Sequence, residues 1–212
     1  RLLKTPRRSA PRRPQKTVVQ ASAAVYHRPM EVKGTAFIAR KSMLEKEHGA
    51  ERFDEVFRKV AQRDGVFRSP ILATTRIPVE AFIRFNDAVV KELYAGDEQS
   101  YFHFGEGSAI WALTSGPYKH LVTNKSVTEF AASAPNMYRN YFTAGEARAE
   151  VKGNRVTLQL LGIDRPHVYF EYAIMGYFKR GLELVSGRKV RMICERGFSK
   201  HDRDVLYTFT LE

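Results

Sequence analysis

The chain has 212 residues, 43% of them apolar and 12% aromatic, and carries a formal net charge of +12. Such a composition is globular and argues against a disordered chain. No run approaches the roughly 20 apolar residues of a spanning helix, so a soluble protein with no membrane partner is expected. The length suits one well-buried domain with a tail, or at most two small domains.

The charge is unevenly placed. Arg1, Lys4, Arg7, Arg8, Arg12, Arg13 and Lys16 open the chain with no acidic residue among them. The segment RLLKTPRRSAPRRPQK, with Pro6, Pro11 and Pro14 and no apolar period, predicts a flexible arm that orders only against an anionic partner. A bridging stretch, TVVQASAAVYH, leads to a change of character near residue 30. The division expected is a basic arm and linker over 1–30 and a folded body over 31–212. The chain begins at Arg1 without an apolar signal core, which predicts a processed chain or a piece of a longer one. Cys194 is the only cysteine. It excludes an internal disulfide and a multi-cysteine metal site, and it suits a reducing cytoplasm.

In the body, EVKGTAFIAR alternates like a short strand. Ser42 followed by Glu45 reads as a capping box opening a helix, or a broken pair of helices, over Ser42–Gln62, interrupted near His48-Gly49. Asp64-Gly65 ends it, and SPILATTRIP is a loop. Pro78 suits a first helical turn, after which Phe82, Phe85, Val89, Val90 and Leu93 recur at helical spacing up to Tyr94. Two further helical segments are expected over about 98–114 and 117–132, parted by Ser115-Gly116-Pro117, and a short helix over Asn136–Phe142. The period then shortens to two. ARAEVKGNRVTLQLLGI reads as a hairpin turning at Gly153-Asn154. An apolar helix fills the interval between Pro166 and Gly187, and RKVRMICE and DVLYTFTLE form a closing pair of strands. Helices segregated from antiparallel strands mean an α+β fold, with an N-terminal helical half packed on a C-terminal antiparallel sheet and its helix.

The opening EVKGTAF, the helical SMLEKEHGAERFDEVFRKV, the loop GVFRSP and the closing strand–strand–helix–strand–strand half resemble the heme-nitric-oxide/oxygen-binding (H-NOX) domains. They are also similar to the related 4-vinyl reductase-type ligand domains, and most closely to a protein family abundant in myxobacteria. The resemblance covers about 31–212 and implies a bacterial sensory domain. Two departures bear on the cofactor. A heme sensor of that family takes a histidine from the mid-domain helix and a Tyr-x-Ser-x-Arg motif for the propionates. Here NKSVTEFAASAPNMYRNYF contains no histidine, and the hairpin offers only Arg155 in GNRVTLQ, so no heme and no other cofactor is expected. The final loop, with Cys194, His201, Asp202 and Asp204, mixes one soft ligand with scattered hard ones and makes a poor zinc site, so no metal is expected.

The six histidines are dispersed, with no helical i, i+4 pair; His103, in the aromatic run YFHFGEG, is the exception worth carrying as a pocket residue. No nucleophile elbow, supported Cys-His pair or phosphate loop is present, so the chain is not expected to be an enzyme. GEGS at 105–108 reads as close packing of Gly105 or Gly107 against a neighbouring element. Aromatic groups at Tyr101, Phe102, Phe104 and Trp111, at Tyr138, Tyr141 and Phe142, and at Tyr169, Phe170, Tyr172, Tyr177 and Phe178 either fill the core or line a pocket between the halves. The pocket candidates are His103, Trp111, Tyr138, Tyr141 and Tyr172.

In the arm, Arg7, Arg8, Arg12 and Arg13 can fork onto phosphates and stack on bases. The Arg8 to Arg12 spacing resembles the cyclic-di-GMP loop of PilZ domains, although NKSVTE only half echoes the companion strand motif of that family. A solvated linker, a tether for nucleic acid or an acidic protein, and a cyclic dinucleotide clamp are the three readings of this arm. The expected function is a non-enzymatic signalling or adaptor domain that binds a small ligand, with a cyclic dinucleotide as one possibility, or a protein partner. The alternatives are nucleic-acid binding through the arm and a heme-free sensor holding an apolar ligand between the halves.

Overall fold

The computed structural model describes residues 29–212; the arm lies outside the described residues. Strand β1 (Glu31–Lys33) pairs antiparallel with β2 (Arg76–Pro78), and Val32 faces Ile77, both fully buried. Around this ribbon stand α1 (Gly34–His48), α2 (Ala50–Arg63) and α3 (Val79–Leu93). They are followed by α4 (Ser100–Thr114), α5 (Lys119–Asn124), α6 (Val127–Ala132) and α7 (Ala134–Tyr141). The C-terminal half consists of β3 (Glu146–Lys152), β4 (Arg155–Leu161), α8 (Val168–Ser186), β5 (Val190–Arg196) and β6 (Val205–Leu211). The four strands form an antiparallel sheet in the order β3-β4-β6-β5. This is the expected α+β arrangement.

The period-two patterns map onto this sheet. Val156, Leu158 and Leu160 of β4 and Val205, Tyr207, Phe209 and Leu211 of β6 alternate inward, which fixes the register because a one-residue slip would turn the whole apolar row outward. The β3–β4 turn uses Gly153 at a φ of 61°, and Gly187 ends α8 at a φ of 68°, backbone that glycine adopts without a Cβ penalty.

Four boundaries differ from the sequence reading. The expected loop SPILATTRIP closes with β2, because its last three residues, Arg76–Pro78, pair with Glu31–Lys33. The expected strand at EVKGTAFIAR stops at Lys33, and α1 begins at Gly34. Phe37, Arg40 and Leu44 are buried at i, i+3 and i+7, and burial of that helical stripe outweighs the short alternation. Ser42 therefore lies inside α1 and caps nothing, although the break at His48-Gly49 is present, with Gly49 at a φ of 85°. The single helix expected over 117–132 is two, because Lys125 takes a left-handed φ of 50° and Ser126 caps α6 by accepting from the Glu129 amide at 3.2 Å. Pro135 sits in the first turn of α7 and starts that helix at Ala134, two residues earlier than expected.

Helices α4 and α8 cross in close contact along small residues. A Cβ on Gly105 would stand 1.9 Å from the Ala173 carbonyl oxygen, and one on Gly176 would stand 2.1 Å from that of Phe102. The expectation that Gly105 packs against a neighbour is met here, and this crossing joins the helical half to the sheet half.

Candidate functional site: a cavity between the two halves

Where α1, α4, α7, α8 and the sheet meet, they leave a cavity of about 90 Å³. Helix α8 presents Tyr169, Ala173 and Tyr177 at i, i+4 and i+8, α7 presents Met137, Tyr138 and Tyr141, and Leu158 of β4 and Ala147 of β3 close the sheet side. Gly105 and Ser108 of α4 and Arg40 of α1 also line it.

The polar atoms here are few. Tyr138 donates its hydroxyl to the Ala144 carbonyl at 2.9 Å, and Ser108 donates to the Phe104 carbonyl at 2.8 Å. The Tyr177 hydroxyl points at the Met137 sulfur, 3.7 Å away. Burial pushes the phenols of Tyr138, Tyr141, Tyr169 and Tyr177 up, Tyr141 to about 12, so all four are neutral hydroxyls at physiological pH. Arg40 is only 3% exposed, and its guanidinium lies 3.8 Å from the centroid of the Phe104 ring, a cation–π contact. Desolvation lowers its pKa to about 10, which still leaves it charged at neutral pH.

Of the five pocket candidates, Tyr138 and Tyr141 line this cavity. Tyr172 packs half-buried against the core, off the cavity-facing stripe of α8. His103 and Trp111 lie instead in an open groove between α1 and α4, beside Ile38, Met43 and Ile110. There His103 shares a hydrogen bond with Glu47 at 2.9 Å, and Trp111 is 47% exposed. Arg7, Arg8, Arg12 and Arg13 lie outside the described residues. Tyr169 and Tyr177, from the aromatic group expected either to fill the core or to line a pocket between the halves, do line it, although they are not among the five candidates; Arg40 is a wall residue that sequence reasoning missed, its signal being the Phe37–Arg40–Leu44 stripe.

A porphyrin does not fit the residues around this cavity. Cofactor pockets run to about 300–1,000 Å³, several times the volume found here, and no imidazole lines the wall. In the β5–β6 loop, Arg196 grips Asp204 at 2.7 and 3.0 Å, and Asp202 accepts from the Gly197 amide at 2.9 Å. Among the described residues no group of three or more His, Cys, Asp or Glu side chains is placed to hold a metal, and no helix is long and apolar enough to cross a membrane.

No protein-family model matches the chain, and no curated protein matches its sequence. Solved structures match it well. An H-NOX protein from S. oneidensis in the Fe(II)NO ligation state superposes with a TM-score of 0.65 at 11% identity, covering 85% of this chain and 99% of that one. An Fe(II) unliganded H-NOX protein from K. algicida gives 0.61 at 15% identity, covering 85% of this chain and 96% of that one. A doubly substituted variant of the Tt H-NOX gives 0.64 at 12% identity, covering 85% of this chain and 95% of that one. At such identities the likeness is one of architecture: the chain has an H-NOX-like fold, with a tyrosine-lined cavity at the joint between its two halves.

Proposed function

We propose that this chain is a heme-free, non-enzymatic sensory domain that binds a small, mainly apolar ligand between its halves. The observation that carries this reading is the cavity itself, set where α1, α4, α7, α8 and the sheet all meet. A ligand there touches both halves at once, so it stabilises whichever relative packing it fits best and shifts the population toward it. The H-NOX-like fold supports a sensory role, and the lone Cys194 supports a reducing, cytoplasmic setting.

The basic arm supports a second, compatible reading. The cluster of Arg7, Arg8, Arg12 and Arg13 would contact an anionic partner, a cyclic dinucleotide or nucleic acid, through charge-assisted bonds whose affinity falls steeply with salt.

Both readings are tested by native mass spectrometry of the purified full chain together with a hemin titration followed in the Soret region. Retention of a small ligand, with hemin keeping its free spectrum, is the expected outcome. A saturating, shifted Soret band at one hemin per chain would sink the heme-free reading. Nucleotide retention that disappears when residues 1–28 are removed assigns the anion to the arm; retention that survives the truncation refutes that assignment.

A further inference from the structure

Arg40 is anomalous among the arginines of the body. Arg84 grips Asp64, Arg196 grips Asp204 and Arg52 pairs with Glu55 at 2.6 Å. Arg40 is the most deeply buried of these, yet its Nε and Nη1 are buried with no hydrogen-bond partner among the described residues. Glu47 acts on it only through space, and that carboxylate is already occupied by the Tyr94 hydroxyl at 2.7 Å and by His103 at 2.9 Å. Phe104 covers one face of the guanidinium and leaves its donor edge unspent. A buried charge without a counter-charge is costly, and proteins retain one where something offsets it.

The rest of the wall points the same way. Tyr141 and Tyr169 bring two further hydroxyls to the wall, whereas those of Tyr138 and Ser108 are spent on backbone carbonyls. The Arg40 charge also reaches Tyr169, opposing the rise that burial imposes on its phenol. A cationic fork with unpartnered donors and two tyrosine hydroxyls thus share one otherwise apolar cavity. Their missing partner is an acceptor.

We propose that the cavity binds a short carboxylic acid as its anion, the carboxylate on Arg40 and the hydroxyls of Tyr141 and Tyr169, the apolar tail against Met137, Ala173 and Leu158. This rests on the sensory reading and adds the chemical class of its ligand. A planar carboxylate matches the guanidinium fork in bidentate geometry, as a tetrahedral or spherical anion does less well. Size sets the tail. A hydrocarbon-lined cavity of about 150 Å³ takes up benzene, so the smaller volume here sets a ceiling no higher than benzene's own size, which excludes nucleotides, porphyrins and long-chain fatty acids.

The test is titration calorimetry on the full chain with sodium butyrate, with butyramide as the neutral isostere and benzene as a purely apolar probe. The expected result is saturable one-to-one binding of butyrate, at least about tenfold weaker binding of butyramide, and a similar loss of butyrate affinity in Arg40→Met, the scale of a hydrogen bond to a charged group. In the wild-type protein, the Arg40 Nε–Hε resonance should shift with butyrate and stay fixed with benzene, a readout that does not depend on any variant folding. Binding of benzene or butyramide with no preference for butyrate overturns the carboxylate assignment and leaves the sensory reading standing. Failure of all three probes to bind removes both. Unchanged butyrate affinity in Arg40→Met, or an Nε–Hε resonance unmoved at saturating butyrate, overturns the role of Arg40.

Discussion

Two regions of this molecule each bury a charged side chain, and they treat it in opposite ways. At the foot of α8, where the β5–β6 loop folds over the helix, Glu171 is fully buried, and its oxygens accept from the Ser199 amide at 2.8 Å, the Ser199 hydroxyl at 2.8 Å and the Tyr207 hydroxyl at 2.9 Å. In the cavity wall, Arg40 is buried with two of its nitrogens lacking any such partner among the described residues. The loop around Glu171 is even shaped to the carboxylate: a Cβ on Gly197 would stand 2.5 Å from its Oε1. A satisfied buried charge is a structural fastening, because removing it strands its partners. An unsatisfied one is a cost that folding alone does not explain.

The largest effect should come from breaking the satisfied site. Glu171→Ala leaves the buried Tyr207 hydroxyl without an acceptor and opens a cavity where the fully buried side chain stood, and should destabilise the fold by about 3–5 kcal/mol, read as a lowered urea midpoint with loss of near-ultraviolet signal from the sheet half. A loss under about 1 kcal/mol would mean that the β5–β6 loop reopens to water and that Glu171 fastens nothing. The next effect concerns the seam that carries one region to the other. Gly176→Ala drives a methyl toward the Phe102 carbonyl oxygen, with the Cβ 2.1 Å from it, and should cost about 1–3 kcal/mol as α4 and α8 are forced apart. Because α8 holds Glu171 at one end and lines the cavity with Tyr169, Ala173 and Tyr177, this variant should also weaken butyrate binding. Thermal unfolding with and without butyrate separates the two losses; full stability in Gly176→Ala would show that the helices separate freely.

The contrast between the two charges was only partly legible in the sequence. The sheet half read well, since the alternation in ARAEVKGNRVTLQLLGI and DVLYTFTLE and the glycines at 153 and 187 each point to one local structure. The helical half read less well. Ten residues from Glu31 satisfied a strand pattern, while the helix that forms there is selected by what Phe37, Arg40 and Leu44 pack against. The split at Lys125 has neither glycine nor proline to announce it. In the site, Tyr138 and Tyr141 stood out as an aromatic cluster on a short helix, but density of rings does not say which face turns inward. The same ambiguity puts Tyr172 on the candidate list while Tyr169 and Tyr177 line the wall, and His103 and Trp111 border the open α1–α4 groove instead. Arg40 was invisible for a more basic reason: arginine on a helix is ordinarily solvated, and only the three-dimensional count of donors and acceptors marks this one as unmatched.

The smallest effect has the opposite sign, and it separates the two regions most cleanly. Arg40→Met keeps a long, flexible side chain beside Phe104 and removes a desolvated charge whose Nε and Nη1 find no hydrogen-bond partner among the described residues. In the absence of ligand, stability should therefore be unchanged or rise by about 1 kcal/mol, as found when buried ionic groups are replaced by apolar ones of similar size. The urea midpoint of the ligand-free protein reads this directly. A drop of about 2 kcal/mol or more, on the scale of a lost structural interaction, would place Arg40 with Glu171 as a fastening of the fold. If stability holds while butyrate affinity falls, the charge has been kept against its folding cost, and the ligand is what it is kept for.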